Sequence, residues 1–399
     1  MTVLLAPETT ADAATIIRDA ASSGTKLRLA GGGTRLCPGA DDEMPVLSVR
    51  ALTGIVAYNP AEMVMTAKAG TPLAEVEAAL EANGQMLPFE PMDHRPLLGT
   101  AGEPTIGGVF AANVSGPRRL VAGAARDSLL GVTFLNGVGE EVKAGGRVMK
   151  NVTGLDLVKL MAGSRGTLGL LSEVTFRVLP VPRAVETVVI AGLDDAHAAA
   201  AMATAMSLSV EVSGAAHLPF IVAGRFSLGA GHEGSATVLR IEGLPHSVPA
   251  RAEKLVEALK SFGPVSRLGA DESKVLWCEI RDALPYAANR DKALWRISVA
   301  PTAGHQLMGA MRLQAAADSF FDWQGGLIWL QMEASVEADF LRRAIGHLGG
   351  GHATLVRASS AQRYGVPAFE PPAPGVAALN ARIVAKFDPS GVFVGGGNV

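Results

Sequence analysis

Cysteine is nearly absent from this chain of 399 residues, Cys37 and Cys278 being the two. They stand far apart, with no Cys-x-x-Cys pair or Cys/His cluster around either, which excludes a zinc or iron–sulfur centre held by the chain's own thiolates. An excess of either charge is also lacking. With a formal net charge of -3 there is no surplus of Lys and Arg to neutralise phosphates along a nucleic acid, and that role is not expected. No stretch approaches the roughly 18 uninterrupted apolar residues of a membrane span. The first residues lack a basic patch followed by a long apolar run, since Asp12, Arg18 and Asp19 interrupt them. The expectation is a cytoplasmic protein that meets a membrane only through partners.

What is present describes a globular chain rich in turns: 48% hydrophobic residues, 18% charged residues and 46 glycines. The length favours two domains, each able to bury its own core. Residues 10–23 carry Ala13, Ile16, Ile17, Ala20 and Ala21 at helical spacing and stop at Gly24. Residues 26–30 read as a strand leading into Gly31, Gly32, Gly33, Thr34 and Arg35, a turn able to aim several N–H groups at a pyrophosphate or to serve as a plain surface turn. The dinucleotide fingerprint G-x-G-x-x-G fails there, because Leu36 takes the place of the third glycine, so a Rossmann nicotinamide site is disfavoured. Residues 54–58 and 63–69 read as strands joined across Asn59-Pro60, and Thr71-Pro72 supplies an N-cap and first-turn proline for a helix that ends at Asn83-Gly84.

Residues 105–176 are the organising stretch. Glycines, hydroxyls and isolated arginines recur there at strand and loop ends, as close approach to a large anionic group requires. The stretch opens Thr105-Ile106-Gly107-Gly108, continues through Asn113, Ser115, Gly116, Arg118, Arg119, Arg126 and Asp127, and closes on Gly166-Thr167-Leu168-Gly169-Leu170 running to Val174. Pro180 and Pro182 then mark a boundary, since paired prolines stop a sheet strand. Beyond it, strands are expected at 185–190, 208–213, 236–241, 294–299, 326–331 and 353–358. Helices are expected at 194–206, 248–262 and 336–348. These repeated strand, helix, strand units suggest an α+β domain of ferredoxin-like type.

Taken with the Leu29-Ala30-Gly31-Gly32-Gly33-Thr34 segment, the order of these motifs resembles the FAD-binding domain of the vanillyl-alcohol oxidase, or p-cresol methylhydroxylase, family. Within it the likeness is to FAD-binding subunits of bacterial glycolate oxidases (glycolate dehydrogenases). The resemblance is carried mainly by the first 180 residues and continues weakly through the stretches ending at Arg357 and Phe393. It implies an α+β fold: a two-subdomain FAD-binding domain over 1–180, followed by a ferredoxin-like cap or substrate domain over 181–399. As cofactor-binding positions it implies Gly31, Gly32, Gly33, Thr34, Arg35, Pro88, Thr105, Ile106, Gly107, Gly108, Asn113, Ser115, Gly116, Arg126, Asp127, Gly166, Leu168, Gly169, Leu170 and Val174. Many members carry a histidine near the first loop that bonds the flavin; residues 30–39 contain none, so the FAD is expected to be non-covalent. Leu155 replaces a family tyrosine, and Phe393-Val394-Gly395-Gly396-Gly397-Asn398 replaces a Phe-Asn-Pro-Gly-Arg-like end.

Flavin oxidation of a 2-hydroxy acid needs a cation for the carboxylate and an acceptor for the hydroxyl proton. Arg118 and Arg119 are candidates for the first and His352 for the second, each with an ordinary structural role as the alternative. No His-x-His arrangement is present to support a metal, and no metal site is expected. Three readings stay open. One is the FAD-binding subunit of a complex that oxidises glycolate, with a second flavoprotein subunit and an iron–sulfur subunit as partners. Another is a stand-alone FAD-dependent dehydrogenase for D-lactate or a similar 2-hydroxy acid. The last is a non-catalytic flavin-fold scaffold.

Overall fold

The computed structural model describes residues 3–35, 44–147, 154–228 and 234–395. The expected helix is Thr10–Ser23, opened by Thr9 and Asp12 in a reciprocal capping box and closed by Gly24 in the left-handed conformation. Ala13, Ile17 and Ala20 face inward. Beside it, β1 (Leu4–Leu5), β2 (Arg28–Ala30) and β3 (Val46–Ser48) form a parallel sheet in the order β1-β3-β2. β2 therefore delivers residues 31–35 to one end of that sheet. Cys37, residues 148–153 of the Arg147 to Leu157 segment, and the terminal Gly396, Gly397 and Asn398 lie outside the described residues.

A second, five-stranded antiparallel sheet combines β4 (Ile55–Asn59), β5 (Val64–Lys68), β7 (Leu129–Leu135), β8 (Glu141–Gly145) and β9 (Leu170–Arg177) in the order β4-β5-β9-β7-β8. The central strand β9 is buried on both faces except at Glu173 and Arg177. A short pair, β6 (Gln85–Met86) with β10 (Leu179–Pro180), closes the first half. The helix after β5 spans Leu73–Glu81 and its cap is Pro72, not Thr71. The Thr71 hydroxyl is fully buried and donates to the Lys68 carbonyl at 2.7 Å while accepting from Gly54 N, so strand neighbours claim it before the helix can.

From Ala184 onward the chain builds one eight-stranded antiparallel sheet. Its strands are β11 (Ala184–Ala191), β12 (Val212–Leu218), β13 (Ala236–Gly243), β14 (Val265–Leu268), β15 (Ala293–Val299), β16 (Ala317–Asp322), β17 (Leu327–Met332) and β18 (Gly351–Arg357). The order is β14-β11-β13-β12-β16-β17-β15-β18. Each half is a β-α-β-β-α-β unit, the first with helices Asp195–Ser207 and Val248–Leu259, the second with Gly304–Gln314 and Ala338–His347. Two ferredoxin-like units thus share a sheet where the sequence pattern suggested one kind of domain, and they meet at the single pairing His217↔Phe321. The strand expected at 208–213 begins at Val212 because Glu211 turns through a positive φ of 51°. The Ala- and Gly-rich β12 carries little strand propensity of its own and is held by its neighbours. Elements for which no strand or helix was expected are β14 and the helix Ala270–Arg281, between residues 262 and 294, and the helix Gly304–Gln314 and β16, between 299 and 326.

The period-two alternation of this sheet decides what it can do. Outward residues such as Leu239, Ile241, Trp295, Ile297, Ile328 and Leu330 pack under the four helices. Inward residues such as Val238, Leu294, Phe320, Leu327, Trp329 and Val356 join the core of the first half. The sheet is therefore a roof, and its inner face looks onto residues 113–116.

The two halves are joined by buried charge. Arg240 on β13 forks onto Glu90 with both Nη–Oε distances at 2.9 Å, Glu90 also accepts from Arg118 N, and the Arg118 guanidinium pairs with Glu242. Residues beyond the helix Pro374–Phe387 return to the first half: Leu27 N donates to Val392 O, Val394 N to Leu27 O, and the Asp388 carboxylate accepts from the N–H groups of Val392 and Phe393. Burial alone would raise the Glu90 carboxyl, but Arg240 and Arg118 outweigh it and hold it below its ordinary 4.5. Its stabilising contribution is then complete at neutral pH and is lost as pH falls through that depressed value. Replacing Glu90 by Gln should lower unfolding free energy by about 3–5 kcal/mol and flatten the acid limb of stability, both measurable by denaturant unfolding as a function of pH.

Candidate functional site

Two backbone segments pack against each other with no side chain between them. A methyl group on Gly32 would enter the carbonyl of Glu103, and one on Gly102 would enter the carbonyl of Gly32. A third segment, the helix Ile106–Ala112, is capped by Thr105, whose hydroxyl accepts from Gly108 N. Gly169 adopts a φ of 156° at the entry to β9, where a Cβ would lie 2.5 Å from the carbonyl of Leu135. These close approaches bring peptide groups to the wall of a cleft. Residues 29–35, 165–166 and 169–171 line it together with Val49, Ala69, Thr105, Gly107, Gly108, Ala111 and Ala112.

A second cleft lies beneath the roof sheet. Ala112 and Arg165 line both clefts, so the two adjoin. Its floor is residues 112–116 with Met92 and His94, and its ceiling is Arg296, Asp322, Leu327, Trp329, Thr354 and Val356 from the inner sheet face, with Arg281 alongside. Trp323 joins floor to ceiling: its indole N–H donates to Gly116 O at 3.0 Å, and its ring lies under the guanidinium groups of Arg119 and Arg296 at 4.5 and 4.9 Å.

The electrostatics of this space are one-sided. Arg35 Nη1 and Arg165 Nε are buried with no hydrogen-bond partner among the described residues. Burial and the neighbouring Arg165 push Arg35 down to about 10, and burial with Arg119 and Arg165 does the same to Arg296. Burial, followed by Arg35, pushes His94 down to about 3, so its ring is neutral. The arginines still carry their charge at neutral pH, and Arg296 has no ion-pair partner among the described residues. An unpaired buried cation disfavours the empty fold. The arrangement fits an anionic guest that supplies acceptors at two places: a diphosphate along residues 31–35 and Arg165, and a small anion near Arg296. The Asp322 carboxyl, the one acidic side chain lining the second cleft, is raised to about 7 by burial.

Of the positions named from sequence, Gly31, Gly32, Gly33, Thr34, Arg35, Thr105, Gly107, Gly108, Gly166, Gly169 and Leu170 line the first cleft, and Asn113, Ser115 and Gly116 line the second. Pro88, Ile106, Leu168 and Val174 are buried behind the walls. Arg126 and Asp127 are exposed and lie at neither cleft; Asp127 accepts from Ala124 N and caps a short turn. Arg118 pairs with Glu242 and lines neither cleft. Arg119 sits on Trp323 at the mouth, and His352, on the edge strand β18, is lowered by burial and then by Arg296 and Arg119. Arg357, at the end of the resembling stretch, donates to the carbonyls of Leu97, Tyr286, Asn289 and Lys292 and knits loops together. Leu155 is 83% exposed. Sequence reasoning missed His94, Arg165, Arg281, Arg296 and Asp322. Only Arg165 carried a signal, standing inside the Gly163 to Gly169 run; the others become neighbours through the roof sheet. Among the described residues no group of three or more His, Cys, Asp or Glu side chains is placed to hold a metal ion, and no helix is long and apolar enough to cross a membrane.

Residues 1–145 match the family model described as an FAD binding domain. The chain is 34% identical over 382 residues to glycolate oxidase subunit GlcE of Escherichia coli (strain K12), covering 94% of this chain and 93% of that protein. It is 30% identical to a D-lactate dehydrogenase of Anaerostipes hadrus, over 42% of this chain and 33% of that protein. The fold matches p-cresol methylhydroxylase with substrate bound at a TM-score of 0.71 and 12% identity, covering 97% of this chain and 86% of that one. Replacing Arg35 or Arg165 by Met should weaken the affinity for inorganic pyrophosphate about 10- to 100-fold, the value of one charge-assisted bond, and leave the unfolding temperature of the free protein unchanged or higher. Calorimetric titration with a parallel melt checks both; a melt that falls instead assigns the arginines to structure.

Proposed function

The chain belongs to the family of FAD-dependent oxidoreductases that includes glycolate oxidase subunit GlcE, and from that premise we propose that it is the FAD-carrying subunit of a complex that oxidises glycolate to glyoxylate. The single observation that carries this reading is the pair of adjoining clefts lined by arginines, of which Arg35 and Arg165 keep buried nitrogens without a partner among the described residues. In this reading Arg35, Arg165 and the N–H groups of residues 31–33 hold the diphosphate of FAD. Arg296 holds the substrate carboxylate beneath the roof sheet. When bound, the flavin supplies the two-electron acceptor that no side chain provides. The flavin is held non-covalently, consistent with a first loop that contains no histidine between residues 30 and 39.

The unit division we propose is 1–180 for FAD and 181–399 for the cap, with the segment after Asp388 packed back on the first unit. Electrons leave for a second flavoprotein subunit and an iron–sulfur subunit. A chain whose sequence has two cysteines does not build a four-thiolate cluster of its own, and the relative that it matches over its length is named a subunit. A stand-alone D-lactate-type dehydrogenase is the second reading, favoured by the likeness to D-lactate dehydrogenase and by a cleft that already contains a carboxylate-binding cation.

An anaerobic visible spectrum of the purified chain loaded with FAD, before and after glycolate or D-lactate, separates the readings. Flavin bands bleached by glycolate support the glycolate reading, and bands bleached by D-lactate alone support the second. Bands that persist with both leave an electron-relay or assembly role in a complex, and a chain that retains no FAD overturns the cofactor assignment.

A further inference from the structure

Asp322 stands where β16 ends, and the chain leaves it through Trp323 and Gln324, with φ values of 50° and 61°. Two successive side-chain-bearing residues in the left-handed region are costly, and such conformations persist where the surroundings over-determine them, commonly at sites. The surroundings here are specific. Trp323 is pinned by its bond to Gly116 O, across the cleft floor, and by the two arginines on its ring. The turn thereby fixes the Asp322 carboxyl at the ceiling of the second cleft. One oxygen accepts from Trp323 N at 2.7 Å, and among the described residues the other accepts no hydrogen bond. Only 2% of the residue is exposed, and it lines the second cleft.

Resting on the glycolate-type reading above, we propose that Asp322 is the base that takes the hydroxyl proton of a 2-hydroxy carboxylate whose carboxylate is held by Arg296. The step balances as follows. The substrate O–H breaks and its proton passes to the free oxygen of Asp322, while the C–H on the same carbon breaks with its electron pair going to the oxidised flavin. The carbon becomes the carbonyl of a 2-oxo acid, and the proton on Asp322 returns to solvent. The other titratable groups serve this role less well. His94 is too weakly basic beside Arg35 and Arg296, and His352 lies on the exposed edge strand. Ser115 already accepts from Ala125 N.

The groups facing Asp322 are Arg240, Glu90 and Arg296, with His94, Arg165 and Arg281 lining the same cleft. Burial dominates them and places the carboxyl at about 7, close to the pH at which a base is most useful. Below that value Asp322 is neutral and the cleft receives a carboxylate readily. Above it, the ionised Asp322 repels the incoming anion while being competent to take a proton.

The test uses the FAD-loaded protein and 2-hydroxyisobutyrate, which has the carboxylate and hydroxyl of a substrate but no C–H to lose. Its affinity, followed by calorimetry across neutral pH, should weaken as pH rises through about 7. In Asp322→Asn that break should disappear with binding retained, and the rate of flavin reduction by glycolate should fall about 10²- to 10⁴-fold. Arg296→Met should lose binding at every pH. Asp322→Glu, checked for FAD content, should restore a pH break and part of the rate. A break that survives in Asp322→Asn, or reduction as fast as in the unaltered protein, overturns the proposal while leaving the glycolate reading standing. A protein that retains FAD yet binds no 2-hydroxyisobutyrate at any pH overturns both.

Discussion

The bidentate pair between Glu90 and Arg240 is the constraint on which the remainder of the molecule depends. It bridges 150 residues of sequence and ties the inner face of the roof sheet to the loop whose Phe89 carbonyl accepts from Gly116 N. Taking both charges out of water costs several kcal/mol per ion, and their attraction offsets this only when the other lone pairs and N–H groups are also satisfied. Here they are: Arg118 N and Arg118 Nη1 serve Glu90 and Glu242, and the Arg240 guanidinium lies over Trp277 at 4.7 Å. An apolar contact would hold the halves together as strongly. A planar fork on a carboxylate also fixes their angle, and the second cleft exists only at that angle.

The arginines of this protein divide by whether the chain supplies their acceptor. Arg118, Arg240, Arg281 and Arg357 are met by carboxylates or carbonyls and act as ties. Arg35 and Arg165 each keep a buried guanidinium nitrogen without such a partner among the described residues, Arg296 lines the second cleft with Arg165, and an unpaired buried cation lowers the stability of the empty fold. Ties and ligands are the same residue type, so the distinction is a property of the surroundings and not of the side chain. Arg118 and Arg119, adjacent in sequence, show this: one is locked to Glu242 and the other lies on Trp323 at the mouth of the site.

The roof is two ferredoxin-like units joined along β12 and β16. Their shared edge has one backbone pairing, and side chains complete it. His217 Nδ1 meets the Thr237 hydroxyl at 3.0 Å, and Asp195 lies 3.3 Å from His217 Nε2 and also pairs with Arg312 of the second unit. Four helices cover the outer face, so every inward residue is free to serve the site or the inter-half core. A single strand alternation places Arg296 inward between Trp295 and Ile297, which face the helices.

Local chemistry was readable in the chain. The capped helix Thr10–Ser23, the glycine loops, β7, β9 and the strand and helix alternation after Arg183 all arise from neighbours in sequence, through periodicity, capping and backbone freedom. Those same features carried the likeness to the flavin-binding family and most of the first cleft. Thr71 was misread because a buried hydroxyl answers to strands across the sheet, and β12, β14 and β16 were missed or shifted because their strand character comes from pairing and not from propensity. The sequence by itself determined which backbone can approach an anion closely, since glycine acts where it stands. Only the tertiary structure decided which arginines are paired, which carboxyl lines the cleft and where the cleft closes, because burial and charge pairing depend on residues far apart in sequence, 150 positions for Glu90 and Arg240 and 260 for Leu97 and Arg357.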